Sequence, residues 1–183
     1  MHTHHHALGL WVTPLPIRHA PRTAVGMGQA LADASAVARE VFQEVDDALS
    51  QKLSVLMREG PEADLTLTEN AQPALMAVSL AVMRVLEKEM GVPVEKAAFV
   101  AGHSLGEYSA LAAAGAISLT DTARLLKLRG QAMQRAVPVG AGAMASLIGP
   151  KTDVALAEAA AAAGAEVGVC VVANDNNNGN VVI

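Results

Sequence analysis

The sequence predicts an α/β fold, and three observations carry that prediction. A short apolar run at residues 97–101 leads through Gly102-His103-Ser104-Leu105-Gly106 directly into an alanine-rich segment of helix-forming character. The chain is 52% hydrophobic yet holds only Trp11, Tyr108, Phe42 and Phe99 as aromatics, so aliphatic side chains and alanine must fill the core, which suits helices packed closely on a sheet. Beyond residue 140 the texture alternates between strand and helix.

In chain order, residues 1–23 stand apart. "MHTHHH" reads as a purification tag or a chance histidine run rather than a metal site, and "ALGLWVTPLPIRHAPRT" lacks periodicity and is rich in turn formers, so this segment is expected to be loop or poorly ordered. From Ala24 onward the pattern becomes regular. Val37, Val41, Phe42 and Val45 fall at helical spacing within 36–49, with Asp33 or Ser35 as caps. A second, short helix is expected over 51–58, closed by Gly60-Pro61. Polar cap candidates in "TLTEN", Pro73 in the first turn and Gly91 at the end frame a third helix, apolar on nearly all sides between Ala74 and Leu86 and therefore expected in the middle of the fold. A strand over 97–101 and a helix over 105–114 follow, then a helix from Thr120 or Asp121 to about Arg135. "AMASLIG" reads as strand, "TDVALAEAAAAAGA" as helix, and "EVGVCVVANDNNNGNVVI" as two strands around an Asn/Gly turn, with a boundary between subdomains near 137–140.

Composition narrows the function classes. A chain of 183 residues buries a real core and forms one domain, or one domain with a small lobe. The net charge of −5 gives no general attraction to nucleic acid or to anionic membrane, and four aromatics do not make a stacking platform for single strands. The lone Cys170 rules out an internal disulfide framework, no apolar run is long enough to span a bilayer, and the N-terminus has no basic region of the kind that opens a signal peptide. The expectation is a cytoplasmic protein with neither nucleic-acid nor membrane partners.

The chemistry centres on Ser104. A G-x-S-x-G match alone is weak, but here a strand precedes it, a helix follows, and Gly102 and Gly106 permit a sharp turn, as a nucleophile elbow needs. On that reading Ser104 is the nucleophile and the Leu105 backbone N–H, at a helix N-terminus, serves an oxyanion. The alternative is a polar residue in a structural glycine turn. His103 is not the base, because adjacent side chains on a tight turn diverge, and it is expected to position or pack.

"GHSLGEYSALAAAGAISLTDTARLLKLRGQAMQ", preceded by "EGPEADLTLTENAQPALMAVSLAV" and followed by "ANDNNNGNVVI", strongly resembles the malonyl-CoA:acyl-carrier-protein transacylases over residues 24–183. The resemblance implies an α/β-hydrolase-like acyltransferase core, 24–140, with part of an inserted ferredoxin-like subdomain, 141–183. It implies malonyl transfer from malonyl-CoA to the pantetheine thiol of acyl carrier protein through a malonyl ester of Ser104, with no cofactor and no metal. By the same resemblance Leu105 is a backbone oxyanion donor, Arg129 binds the malonyl carboxylate, and Gln72, His103 and Asn174 line the site.

Two features of the family pattern are not found in this sequence. "LPIRHAPRT" stands where a G-Q-G-S-Q type loop belongs, and no histidine follows His103, whereas the family's catalytic histidine lies beyond the ferredoxin-like lobe. The expectation is a fragment with an atypical, replaced or frame-shifted N-terminus, impaired in turnover on its own. A serine hydrolase, or a non-catalytic fragment that binds CoA or carrier protein, are the rival readings.

The helix carrying Arg129 gives a residue-level argument. Arg124, Lys127, Gln131, Gln134 and Arg135 share one polar arc, while Arg129 lies opposite, bracketed by Leu125, Leu126, Ala132 and Met133. An arginine on an apolar face needs an anion, either an internal carboxylate or the malonyl carboxylate. Arg124, Lys127 and Arg135 are either a docking face for an acidic carrier protein or a solvated helix face.

Overall fold

The structure, a computed structural model, describes residues 23–183 and the backbone of Leu10–Trp11. These divide into two compact units, one ending at Ala136 and the other spanning Val137–Ile183. Apart from Leu10, Trp11 and Thr23, the expectation of loop over residues 1–23 lies outside the described residues. At Leu10–Trp11 it is corrected: these form a strand, β1, paired in parallel with β2 (Val100–Ala101). Two residues cannot display a period, so this strand is specified by its partner and not by local pattern.

The first unit is mainly helical. α1 (Gln29–Ala34), missed because six residues show no periodicity, leads through Ser35 into α2 (Ala36–Leu49). Ser35 is the cap, its Oγ accepting from the Ala38 N–H at 3.1 Å, whereas Asp33 accepts from Gln29 instead. Ala38, Val41, Phe42 and Val45 are buried as their spacing requires. α3 (Leu53–Glu59) and a second missed turn, α4 (Glu62–Leu65), lead into α5 (Thr68–Met90). α5 starts earlier than expected, which puts Pro73 beyond its first turn, and it ends on Gly91 with φ 65°. It packs against α2, α6 (Leu105–Ala113) and α7 (Leu119–Ala136). Its burial holds from Pro73 to Ala81 and fades after Val82, 41% exposed.

The expected strand over 97–101 shrinks to β2, and Phe99 is 78% exposed. α7 begins at Leu119 because Ser118 caps it: Ser118 Oγ accepts from the Asp121 N–H at 3.0 Å and donates to the Asp121 carboxylate at 2.7 Å.

In the second unit, β3 (Ser146–Ile148), β4 (Asn174–Asp175) and β5 (Asn180–Val182) form an antiparallel sheet in the order β3-β5-β4, with α8 (Val154–Gly164) between β3 and β4 along the chain. This is the β-α-β-β succession with which a ferredoxin-like unit starts. The Asn/Gly turn is real, with Asn177, Asn178 and Gly179 at positive φ. The first of the two strands expected around it is shorter than its valines suggest: Val167 and Val169 are 95% and 100% exposed, and pairing begins at Ala173, whose N–H donates to the Val182 carbonyl at 2.8 Å. Among the described residues, no helix is long and apolar enough to cross a membrane.

α5 and α7 meet at Gly130. A Cβ there would lie 2.6 Å from the Thr68 carbonyl oxygen, 2.7 Å from Glu69 N, and closer still to Glu69 Cα. Alanine for glycine in a helix is otherwise favourable by about 1 kcal/mol, but overpacking costs about 1–3 kcal/mol, and backbone atoms cannot rotate aside. Gly130→Ala should therefore destabilise the first unit, seen as a lower urea midpoint. A raised midpoint would mean that the helices separate freely.

Candidate active site

Ser104 joins β2 to α6 with φ 55° and ψ −118°, a conformation uncommon for any residue with a Cβ. The chain holds it there because the turn closes on itself. Gly106 N–H donates to the His103 carbonyl at 2.9 Å and Glu107 N–H to the Ser104 carbonyl at 3.1 Å. A Cβ at Gly102 would collide with the Gly106 carbonyl and the Glu107 nitrogen, so the strand enters beneath the helix only as glycine. The Ser104 side chain makes no capping bond to α6, and it is exposed. Leu105 provides the first N–H of α6, which points with the positive end of the helix.

Arg129 reaches this hydroxyl from α7. Its Nη2 donates to Ser104 Oγ at 3.0 Å, its Nη1 donates to Gln72 Oε1, and its guanidinium carbon lies 5.9 Å from the centre of the Tyr108 ring. Gln72 is buried on α5 and is itself held, its Nε2 donating to Thr68 Oγ1 at 2.9 Å and to Met133 Sδ at 3.3 Å. The guanidinium thus has a buried amide on one side, an aromatic face nearby, and the serine in front. Among the described residues it has no carboxylate partner, so the internal salt bridge that an apolar setting would demand is not what it makes. The expected apolar bracket is corrected as well: Leu125 and Met133 are 42% and 46% exposed.

Ser104, Leu105, Arg129 and Gln72 therefore converge. His103 sits on the elbow, exposed. Asn174 lies in the second unit, exposed, where it opens β4 opposite Val182. Tyr108 was missed, although it stands four residues after Ser104 and so one turn along the same helix. No group of three or more His, Cys, Asp or Glu that could hold a metal occurs among the described residues.

The polar arc of α7 is corrected in part. Lys127, Gln131 and Gln134 face the first turn of α5, while Arg124 and Arg135 are exposed. Lys127 Nζ donates to Gln51 Oε1 at 2.9 Å and Asn70 Oδ1 at 2.8 Å, and lies 3.2 Å from Glu69 Oε2. Gln131 Nε2 donates to Glu69 Oε2 at 3.2 Å, and Gln134 Oε1 accepts from the Glu69 N–H at 3.1 Å. Arg124 Nε donates to the Ala48 carbonyl at 3.1 Å.

Burial pushes the Glu69 carboxyl up, but the hydrogen bonds from Lys127 and Gln131 and the Lys127 charge outweigh it and hold it below its ordinary value. A carboxyl lowered on folding adds stability above its unfolded pKa and loses it as pH falls through the folded value. The stability difference between the parent chain and Glu69→Gln should thus be constant near neutrality and shrink once pH drops below about 4.3. Denaturant titrations at several pH values would show this, and a difference that grows with acidity would contradict the charge pairing.

Comparison with known proteins gives the family. The acyl transferase domain model matches residues 24–183. The chain is 44% identical over 159 residues to the malonyl CoA-acyl carrier protein transacylase of Bacillus subtilis, covering 87% of this chain and 49% of that protein. Among solved structures it is similar to the acyl-carrier-protein-S-malonyltransferase of Bartonella henselae, with a TM-score of 0.78 and 59% identity over 88% of this chain and 51% of the other. It is also similar to a malonyl-transacylase solved in complex with a type II polyketide synthase acyl-carrier protein, with a TM-score of 0.77, 40% identity, and coverage of 88% and 51%. The chain spans about half the length of these relatives.

Proposed function

The chain belongs to the acyl transferase domain family, and from that premise we propose that it carries the nucleophile and the acyl-recognition arginine of a malonyl transfer from malonyl-CoA to acyl carrier protein, in the cytoplasm. Ser104 Oγ attacks the thioester carbonyl, and the tetrahedral oxygen that forms there is met by the Leu105 N–H. The carbon–sulfur bond breaks, CoA leaves as its thiol, and a malonyl ester remains on Ser104. The pantetheine thiol of the carrier then attacks that ester and regenerates the serine. Arg129 holds the free carboxylate, Gln72 aims Arg129, and His103 lines the approach.

The observation that carries this reading is the guanidinium 3.0 Å from the serine hydroxyl, with no carboxylate partner among the described residues. A planar cation of this kind suits an acyl chain that ends in a carboxylate, and a hydrolase of neutral esters has no use for it. Ser104 Oγ accepts from the Arg129 Nη2 at 3.0 Å and must be freed of that donor before it attacks. That observation favours a second reading, in which the chain binds CoA or carrier protein without turnover.

Incubation with labelled malonyl-CoA, followed by peptide mass spectrometry, separates the two. Slow labelling of Ser104, lost in Ser104→Ala, supports transfer; tight CoA binding without label supports the second reading. Arg129→Ala should lower malonyl labelling by about 100-fold, roughly 2.7 kcal/mol, and spare acetyl labelling. Equal losses for both acyl groups would remove the carboxylate clamp.

A further inference from the structure

Arg129 can meet Ser104 only if α7 is set correctly about its own axis. The contact at Gly130 brings α7 onto α5 but is a steric contact without direction. A rotation of α7 by about 20° would move a side-chain tip about 6 Å from its axis by about 2 Å, more than a hydrogen bond tolerates. Misplacement by about 1 Å is enough to cost about 100-fold in rate. Something directional must set the helix.

Lys127 is placed to do so. An ammonium has three donors, and Gln51, Asn70 and Glu69 are its three acceptors, at 2.9, 2.8 and 3.2 Å. They come from two parts of the chain, the link between α2 and α3 and the first turn of α5. The acceptors are tied in turn: Gln51 Nε2 donates to Asn70 Oδ1 at 3.0 Å, and Asn70 Nδ2 to the Asp64 carbonyl at 2.9 Å. Glu69 and Gln72 lie three residues apart on one side of α5, and Lys127 and Arg129 two apart on α7. Lys127 and Arg129 lie on different faces of α7, so the pairs Glu69–Lys127 and Gln72–Arg129 brace the crossing at Gly130 from its two sides.

We propose that Lys127 is a positioning residue for the anionic acyl group: by drawing α7 onto Glu69, Asn70 and Gln51 it sets the Arg129 guanidinium against Ser104 and so sets the preference for a carboxylate-bearing acyl chain over a neutral one. This rests on the transfer reading given above. It acts through Arg129 and touches no substrate.

The test uses the full chain with Lys127→Met, which keeps the stem and removes the donors, Lys127→Arg, which keeps charge and donors, and Glu69→Gln, which removes the charge with little change of shape. Two quantities are read: Ser104 labelling by malonyl-CoA against acetyl-CoA, and the rate at which phenylglyoxal modifies Arg129, followed by peptide mass spectrometry. Lys127→Met should lower the malonyl-to-acetyl labelling ratio about tenfold or more and speed Arg129 modification severalfold. Glu69→Gln should do the same more weakly, and Lys127→Arg should restore both. Parallel loss of malonyl and acetyl labelling would reduce Lys127 to a structural role and overturn the proposal. If the parent chain takes no label, the transfer reading fails and the Arg129 modification rate decides alone: unchanged reactivity in both Lys127→Met and Glu69→Gln overturns the positioning. If Lys127→Met does not fold, Glu69→Gln decides by the same criteria.

Discussion

The first unit depends on one steric constraint, the approach of α7 to the first turn of α5 at Gly130. Backbone meets backbone there, with Thr68 and Glu69 where any side chain would have to go. So close a crossing brings the polar side chains of the two helices within reach of one another. Gln72 can then hold Arg129 from the buried side while Ser104 meets it from the exposed side. Were the helices further apart, their long polar side chains would turn to water, and exposed pairs of that kind contribute only about 0–1 kcal/mol.

The elbow is the second constraint, and it works against stability. Ser104 occupies a backbone region that costs on the order of 1–3 kcal/mol for a residue with a Cβ. The turn bonds at Gly106 and Glu107, with the glycine at 102, hold it there. In exchange the hydroxyl stands clear of capping α6 and leaves the Leu105 N–H unencumbered by its own side chain. A relaxed turn would let the serine cap the helix, as serine commonly does, and the site would lose both groups together.

What could be read from the sequence follows the range of the forces involved. α2 was legible because its cap, Ser35, and its stripe of Ala38, Val41, Phe42 and Val45 are all local. The elbow was legible because the strand before Ser104, the helix after it and the flanking glycines are all local, a context that sharpens an otherwise weak motif. α1 and α4 were not, since six and four residues carry no period. Nor was the start of the strand before the Asn/Gly turn, where valines suggested pairing that begins only at Ala173. The polar arc of α7 misled for a deeper reason. Lys127, Gln131 and Gln134 look the same in sequence whether they face water or Glu69, and only the close crossing at Gly130 decides. Arg129 could be singled out from its place on the helix, but its surroundings are an amide, a hydroxyl and a ring rather than the apolar bracket its neighbours suggested.

The exposure of the site shapes what its charges can do. Ser104 is open to water and Arg129 is half-buried, so the attraction between guanidinium and an incoming carboxylate is screened, unlike that of a pair sealed in a dry pocket. Under those conditions strength of attraction contributes less than geometry. A fork fixed by Gln72 loses little freedom when a carboxylate docks, whereas a mobile arginine would have to be ordered at the moment of binding. On the proposed malonyl-transfer reading, selectivity for an anionic acyl group at an open serine would come from holding the cation still, and the contacts between α5 and α7 would supply the rigidity that burial does not.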